Sequence, residues 1–309
     1  MFLMRKAVFI IDKVEKAKIE IAKELGFEWI FAGGKNLNQE LINNIHKMGM
    51  KVVAETGMFI GDDLWEKYSD CRPIDRNGKP IEKVYWYGGV CPNHPGVREE
   101  RLTRIRQLIN NLDVDGIWLD FIRYPNHWED VRGLPIEEYC FCENCRKLYG
   151  KNDFGSERWY EWKADQIVGF VGEVKNIIEK SGRNIELGLF GVPWIRGEFD
   201  DAIINIIGQD FKKLALVIDV FTPMTYQLMC DRTTQWINDV VVSVANQTGK
   251  PVLPIIQTED KPVKLNKKEF EKEIIASKTE PSIGSIIFFL EDLLKDPDKV
   301  EVVKKLNRL

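Results

Sequence analysis

The sequence lacks several features that define common protein classes. None of its apolar runs reaches the ~20 residues of a membrane-spanning helix. Its first residues show no basic segment, long apolar segment and small-residue cleavage site of a signal peptide. Positive charge is not in excess, since 44 Lys and Arg face 48 Asp and Glu, for a formal net charge of −4. We therefore expect a cytoplasmic protein that binds neither membranes nor nucleic acid.

Histidine is also scarce, with three residues in 309, which disfavours a zinc-dependent hydrolase that would use imidazole ligands. No arrangement of Ser or Cys with a base suggests a nucleophilic enzyme of that kind. A Gly-rich phosphate turn is missing after the first apolar segment, where Asp12-Lys13-Val14-Glu15 stands instead. This absence disfavours a doubly wound nucleotide-binding sheet.

Short apolar segments alternate with amphipathic, charged segments along the whole chain, and 44% of the residues are hydrophobic. The alternation predicts a (β/α)8 TIM barrel, and we expect residues 1–309 to form one such domain. The predicted strands are 7–11, 28–32, 51–56, 116–124, 185–192, 216–221, 252–257 and 284–290. The predicted helices are 14–25, 38–48, 97–112, 157–180, 231–248 and 267–278.

The segments that follow the third and fourth predicted strands are longer than those elsewhere, which predicts long insertions at both places. They are rich in Trp, Tyr, Gly, Pro and Cys, a composition typical of ordered loops rather than flexible linkers. Barrel enzymes build their active sites at the carboxyl ends of the strands. The two insertions therefore indicate where the site should lie.

Four of the six cysteines fall in these insertions. Cys140, Cys142 and Cys145 form a Cys-x-Cys-x2-Cys pattern, and Cys91 lies in the preceding insertion. This spacing is typical of a metal site, and four thiolates would close a tetrahedral structural zinc centre. We predict structural zinc at these positions, with His94 as a reserve ligand. The alternative is that they pack as reduced, small hydrophobic side chains, as we expect for Cys71 and Cys230.

The cysteine segment resembles the structural zinc cluster of family 42 β-galactosidases, which are also barrel enzymes with a cysteine in the loop before the cluster. The shared residues run from Cys140 through Tyr149-Gly150, together with Cys91-Pro-Asn. That family has an Asn-Glu acid/base dipeptide on its fourth strand, whereas this chain has Leu119-Asp120 there. The resemblance therefore implies the zinc centre and does not imply the activity.

The fourth predicted strand is the second prominent feature. Strand alternation would place Trp118, Asp120, Ile122 and Tyr124 on one face, with Asp120 pointing into the upper barrel. A carboxylate there needs a hydrogen bond or a charged partner. Arg123, close to the strand end, could pair with Asp120 or with a substrate.

The run Asp-Gly-Ile-Trp-Leu-Asp-Phe-Ile-Arg-Tyr-Pro resembles the fourth strand of a group of barrel-type glycoside hydrolases in which an Asp-x-Ile-Arg-Tyr-Pro segment recurs. Further matches are Tyr87-Gly-Gly-Val-Cys-Pro, His127-Trp128-Glu129 and Thr222-Pro-Met-Thr-Tyr226. The resemblance implies a carbohydrate substrate and hydrolysis of an O-glycosidic bond. It does not specify the sugar.

Hydrolysis of a glycosidic bond needs two carboxyl groups that flank the bond. We predict Asp120 as one of them. Glu55 at the end of the third strand and Glu129 after the fourth are the preferred partners. A flanking Trp128 could raise the pKa of Glu129 toward that of a general acid. Glu259 and Glu291, after the last two strands, remain alternatives.

Aromatic residues cluster near the predicted carboxyl ends of the strands, where ring faces could stack on sugars. The predicted substrate-binding residues are Arg123, Tyr124, Trp128, Trp194, Tyr226 and Gln257. An alternative function is a barrel that binds a glycan without cleaving it. Loss of turnover with retained binding after substitution of Asp120 would distinguish the enzyme from the binding protein.

Overall fold

The computed structural model describes residues 4–129 and 136–308. Eight parallel strands form a nearly closed (β/α)8 TIM barrel in the order β6-β5-β4-β3-β2-β1-β8-β7. Parallel bridges from Phe221 to Val252 and from Met224 to Ile255 connect the two ends of this order. The strands are β1 Arg5–Ile10, β2 Trp29–Gly33, β3 Lys51–Gly57, β4 Gly116–Asp120, β5 Glu186–Gly191, β6 Val220–Pro223, β7 Ile255–Gln257 and β8 Gly284–Phe288. The predicted fold class is confirmed.

Helices alternate with these strands and cover the outside of the barrel. They are α1 Lys16–Glu24, α2 Gln39–Lys47, α3 Asp63–Lys67, α4 Pro95–Asn111, α5 Glu143–Tyr149, α6 Glu157–Lys180, α7 Ala202–Asn205, α8 Phe211–Leu214, α9 Thr234–Thr248, α10 Lys267–Ser277, α11 Leu290–Leu293 and α12 Pro297–Asn307. Short 3-10 helices span Gly34–Asn36 and Glu198–Asp201. No helix in the two described stretches is both long and apolar enough to cross a membrane.

Aromatic rings fill the barrel interior. Phe31 packs edge-on against Trp118 with ring centroids 5.2 Å apart, and Phe9 contacts Phe190 at 6.3 Å. The Trp118 indole donates a hydrogen bond to the Thr222 hydroxyl (2.9 Å). A Cβ atom at Gly188 would lie 2.0 Å from the Trp118 ring, so only glycine fits beside this tryptophan. The interior is therefore a packed core, and ligands can enter only at its ends.

Two predicted strands differ most from the structure in their bounds. The strand predicted at 116–124 ends at Asp120, because Phe121 adopts a left-handed conformation (φ 53°) that no strand can continue. The strand predicted at 216–221 begins only at Val220, and Leu216 is 82% exposed in the preceding turn. Apolar letters alone do not distinguish a buried strand from an exposed turn.

The two connections that contain the candidate site lie after β3 and β4. Residues 58–94 run from β3 to α4 and include α3, and residues 121–156 run from β4 to α6 and include α5. Backbone hydrogen bonds join the two strand ends, since Met58 N–H donates to Asp120 O and Phe59 N–H to Phe121 O. Both connections therefore leave the barrel side by side at its carboxyl end.

Candidate active site and cysteine centre

Glu55 and Asp120 lie near the carboxyl ends of two adjacent strands. In the β3–β4 register Glu55 is opposite Trp118, and Gly57 is opposite Asp120. Because Trp118 packs in the barrel interior, its register partner Glu55 and its alternate neighbour Asp120 point to the same interior side. A Cβ atom at Gly33 would lie 3.5 Å from the Glu55 carboxylate, so the end of β2 lies directly beside this carboxyl group.

Burial raises the pKa values of Glu55 and Asp120 by different amounts. It raises the pKa of Glu55 to about 8, with a further contribution from the nearby Asp120 charge, while Lys35 and Arg104 act in the opposite direction. Burial also raises the pKa of Asp120, to about 6, and this rise is limited by Arg123 and by the hydrogen bond from Phe121 N–H. Near neutral pH, Glu55 therefore holds a proton and Asp120 is ionised.

The turn at Phe121 places Arg123 beside Asp120. Arg123 is 2% exposed, and its guanidinium lies 3.9 Å from the Asp120 carboxylate and 4.8 Å from the Phe121 ring centroid. Its Nε and one terminal nitrogen have no hydrogen-bond partner among the described residues. The positive charge next to Asp120 favours the ionised carboxylate.

A short hairpin from the β3–α4 connection also packs against Phe121. Val84 and Tyr87 exchange two backbone hydrogen bonds, and Trp86 between them is 58% exposed. The Trp86 ring packs edge-on against Phe121 with centroids 6.0 Å apart. An exposed indole therefore lies at the rim of the mouth, beside Phe121, the residue that follows Asp120 in the chain.

Glu129 approaches Asp120 from the β4–α6 connection. Its carboxylate lies 3.6 Å from His127 Nδ1, and its charge contributes to raising the pKa of Asp120. Burial raises the pKa of Tyr226 well above its ordinary value, and the charges of Asp120 and Glu129 raise it further. Three of the predicted site residues, Asp120, Glu129 and Tyr226, therefore face one another at the mouth.

An aromatic row follows from Tyr226. The Trp128 and Tyr226 rings are near-parallel with centroids 6.1 Å apart, and Tyr226 stacks on Phe288 at 5.4 Å. The Trp128 indole N–H has no hydrogen-bond partner within the described part of the chain. The structure thus brings together Trp128 and Tyr226 at the mouth, and Phe288, which the sequence does not single out, supports them from β8.

The alternative carboxylates on the far side of the barrel are held by other groups. Glu291 accepts hydrogen bonds from Lys18 (2.5 Å) and from the backbone N–H groups of Ile11 and Asp12. Glu259 pairs with Lys261 at 2.6 Å. Both carboxylates are held in loops by these partners, and neither is among the charges that act on Asp120.

Three predicted substrate-binding residues have structural partners. The Gln257 amide accepts a hydrogen bond from Met229 N–H and donates to the Glu259 and Lys261 carbonyls. The fully buried Tyr124 accepts one from Asn93 (2.8 Å). Trp194 is 5% exposed and packs against Phe199 with centroids 5.3 Å apart. These contacts show how the three side chains are fixed, and none of them reaches Asp120.

The four predicted cysteine ligands converge at one point. The sulfurs of Cys91, Cys140, Cys142 and Cys145 all lie within 4.8 Å of one another, and all four residues are buried. Cys91 Sγ lies 3.4 Å from Cys145 Sγ and 3.7 Å from Cys142 Sγ. A zinc ion with Zn–S bonds of ~2.3 Å requires sulfurs ~3.8 Å apart, so the donor set fits a tetrahedral metal.

Polar groups around the sulfurs complete this centre. Asn93 donates to Cys145 Sγ (3.2 Å) and Ile74 N–H donates to Cys140 Sγ (3.4 Å). The hydrogen bond to Cys140 raises the pKa of Cys91 and lowers that of Cys142, because closely packed thiols share protons. His94, the reserve ligand, instead caps α4 through Val97 N–H and pairs with Asp70. The centre joins the two long connections and, through Asn93, fixes Tyr124.

Some features of the site could not be found in the sequence. Lys35 and Arg104 both act on the Glu55 charge, although they lie after β2 and on α4 respectively. Phe121 lies between Trp86 and Arg123 only because its own backbone is left-handed. Neither arrangement has a local sequence signal, since both depend on how distant elements pack.

A barrel with desolvated carboxyl groups and aromatic side chains at the carboxyl ends of its strands is the arrangement of many carbohydrate-active proteins. No known family model matches the chain. One curated protein shows limited similarity, an S-layer-related protein from Niallia circulans that is 25% identical over 134 residues, or 36% of this chain. The matched segment spans only 8% of that protein's length.

Solved structures give broader matches. The glycoside hydrolase domain of PgaB (BpsB) from Bordetella bronchiseptica has a TM-score of 0.73 at 12% identity, over 97% of this chain and 98% of that chain. A β-galactosidase from Marinomonas ef1 has a TM-score of 0.73 at 9% identity, over 99% and 59%. The glycoside hydrolase domain of PelA from Pseudomonas aeruginosa has 0.56 at 10%, over 93% and 96%. At these identities the similarity establishes the fold.

Proposed function

We propose that this protein hydrolyses an O-glycosidic bond with Asp120 and Glu55 as its catalytic carboxyl pair. The observation that carries the proposal is the pair itself. Two partly buried carboxyl groups lie on adjacent strand ends, and their pKa values of about 8 and about 6 give them different protonation states at neutral pH. The glycoside hydrolase neighbours share the fold that presents them.

The protonation states assign a role to each group. The protonated Glu55 donates its proton to the leaving-group oxygen, as a general acid must. The ionised Asp120, with Arg123 at 3.9 Å, acts on the sugar carbon as nucleophile or as base for water. Glu129, with His127 beside it, lies close enough to raise the pKa of Asp120 and is the second candidate for the acid.

One exposed aromatic side chain binds the substrate in this proposal. A sugar C–H face packs on Trp86, which is 58% exposed, while the buried Trp128 and Tyr226 rings stack on each other beneath the mouth. Trp128 and Arg123 have N–H groups that are unpaired among the described residues but are at most 2% exposed, so they position Tyr226 and Asp120 rather than contact the sugar. Tyr124, Trp194 and Gln257 support the loops that hold these groups.

The cysteine centre takes zinc in a structural role. Four sulfur ligands leave no coordination position for water or substrate, so the ion supplies cross-linking and no chemistry. Its place between the two long connections keeps Tyr124 and the segment that carries Asp120 in position. The same geometry accommodates reduced, hydrogen-bonded thiols, and metal analysis distinguishes the two.

A glycan-binding barrel without activity is the second candidate, because aromatic rims also serve binding alone. The test is a screen of aryl glycosides of both anomers and of oligosaccharides, with wild type, Asp120→Asn and Glu129→Gln. We expect wild-type turnover that falls about 1,000-fold or more in Asp120→Asn and about 10-fold in Glu129→Gln. Glu280→Gln, an exposed control in the turn that leads into the amino end of β8 and therefore at the opposite end of the barrel, should keep full activity.

The screen separates the candidates because binding is measured in parallel. Turnover that Asp120→Asn abolishes while glycan binding persists supports the enzyme. Glycan binding by wild type with no turnover of any substrate would instead establish the binding protein.

A further inference from the structure

A groove of about 730 Å³ opens beside Glu55. Its lining comes from the loop after β2, from α4 and from Glu55 and Phe121 at the ends of β3 and β4. We call it the α4 groove. Because it begins at the proposed general acid, a sugar bound there would be adjacent to the bond that Glu55 protonates.

One face of α4 supplies the wall of this groove. Arg104, Gln107, Leu108 and Asn111 all line it, and their spacing of three and four residues places them on a single helix face. Two side-chain amides can exchange hydrogen bonds with hydroxyl groups. Leu108 and Leu37 offer apolar surface for the C–H side of a sugar ring.

Two cations distinguish the α4 groove from a neutral sugar site. Lys35 and Arg104 line it, both are exposed, and neither forms an ion pair within 4.0 Å among the described residues. Other arginines on the same helix do have carboxylate partners, since Arg98 pairs with Glu173 and Arg106 with Glu99. The two cations of the groove therefore have no direct ion-pair partner in the described part of the chain, and the carboxyl groups on which they act at longer range are Glu55 in the groove and Glu100, which pairs with Lys67.

We infer that the α4 groove binds a sugar residue that carries a negative charge, so that the substrate is an anionic glycan. This inference rests on the proposed glycosidase function. The common chemistry is an anionic substituent, either a carboxylate or a sulfate, held between the Lys35 ammonium and the Arg104 guanidinium. Such an anion would also offset the two charges that lower the pKa of Glu55, and would thereby help Glu55 to keep its proton.

The experiment uses the full chain carrying Asp120→Asn, so that ligands are bound without being hydrolysed. Calorimetry would compare a trigalacturonate, a sulfated galactose trisaccharide and a neutral galactose trisaccharide of equal length. We expect at least one anionic ligand to bind 10-fold or more tightly than the neutral one, with affinity that falls as salt is raised. The two anionic arms show whether carboxylate or sulfate is preferred.

In this background, the further substitutions Lys35→Gln and Arg104→Gln should lower the affinity for the anionic ligand to that for the neutral one. Arg106→Gln is the matched control, because Arg106 lies on the same helix, does not line the groove and pairs with Glu99. All these side chains are exposed, and an unchanged melting temperature confirms folding. Equal affinity for all three ligands, no binding of any, or no effect of the double substitution would each overturn the inference.

Failure of the groove and failure of the function give different results. If wild type hydrolyses neutral glycosides and the double substitution changes nothing, the function holds and the groove inference is wrong. If charge-dependent binding is found but wild type cleaves no glycoside, the groove inference holds and the hydrolase proposal is wrong.

Discussion

At the scale of single residues, the proposed function depends mainly on two partly buried carboxyl groups. Glu55 and Asp120 are both partly buried, and although Lys35 and Arg104 act on the Glu55 charge, only Asp120 accepts a backbone N–H hydrogen bond and has a buried guanidinium 3.9 Å away. These two partners stabilise its charged form and leave Glu55 as the group that stays neutral. The division of roles therefore follows from Arg123 and Phe121, which the fourth strand positions as it ends.

A third carboxyl group, fully buried, lies on α10. Glu273 has no exposed surface, and burial raises its pKa to about 8, although Gln227 and Lys299 act in the opposite direction. In the unfolded chain its pKa is near 4.5, so folding takes up a proton between these two values. The contribution of Glu273 to the free energy of unfolding should therefore fall as pH rises from about 4.5 to about 8.

Replacing the Glu273 carboxyl with an amide should remove the loss of stability that its ionisation causes as pH rises. We expect Glu273→Gln to be more stable than wild type at pH 7, by about 3 kcal/mol, with little difference at pH 4.5. Denaturant unfolding at several pH values measures this, with the exposed Glu280→Gln as control. Parallel stability curves for wild type and Glu273→Gln would contradict it.

At the scale of elements, the cysteine centre links two connections that leave adjacent strands. Cys91 comes from the β3–α4 connection and the other three cysteines from the β4–α6 connection, so a metal would close a loop of about 50 residues. Cross-links of this length restrict the unfolded chain strongly. A separate aromatic cluster, formed by Phe141, Tyr149 and Trp159, packs directly beside the cysteine centre.

Metal analysis of the purified protein should give about one zinc per chain. Cys142→Ser should lose the zinc and lower the melting temperature by about 5–10 °C, equivalent to about 3 kcal/mol. Cys230→Ser, which changes a thiol outside the centre, should retain both. A metal-free preparation as stable as a zinc-loaded one would show that the four thiols merely pack together.

At the scale of the whole molecule, the alternation of strands and helices predicts the barrel because each unit buries an apolar strand under an amphipathic helix. Glu55 and Asp120 could be proposed from their places at strand ends, and the four cysteines from their spacing. The turn at Phe121 could not, because a left-handed phenylalanine has no local signal. The predicted face shared by Asp120 and Tyr124 is wrong for that reason, and Tyr124 instead contacts Asn93 beside the cysteine centre.

The α4 groove, like the turn at Phe121, could not be predicted from the sequence. Lys35, Glu55 and Arg104 come from three different elements, and their proximity follows from how α4 packs against the barrel. Long-range packing of this kind leaves no periodicity to read in one sequence. Strand ends, in contrast, are predictable because all eight carboxyl ends of a parallel barrel face the same way.

The pH profile of kcat/KM on a cleaved glycoside tests the carboxyl pair directly. For wild type we expect a bell that rises near pH 6, as Asp120 ionises, and falls near pH 8, as Glu55 loses its proton. Glu55→Gln should lose about 100-fold or more in activity on poor leaving groups, and its remaining activity should no longer fall near pH 8. A wild-type profile that is flat between pH 5 and 9, or a fall near pH 8 that persists in Glu55→Gln, would contradict the assignment.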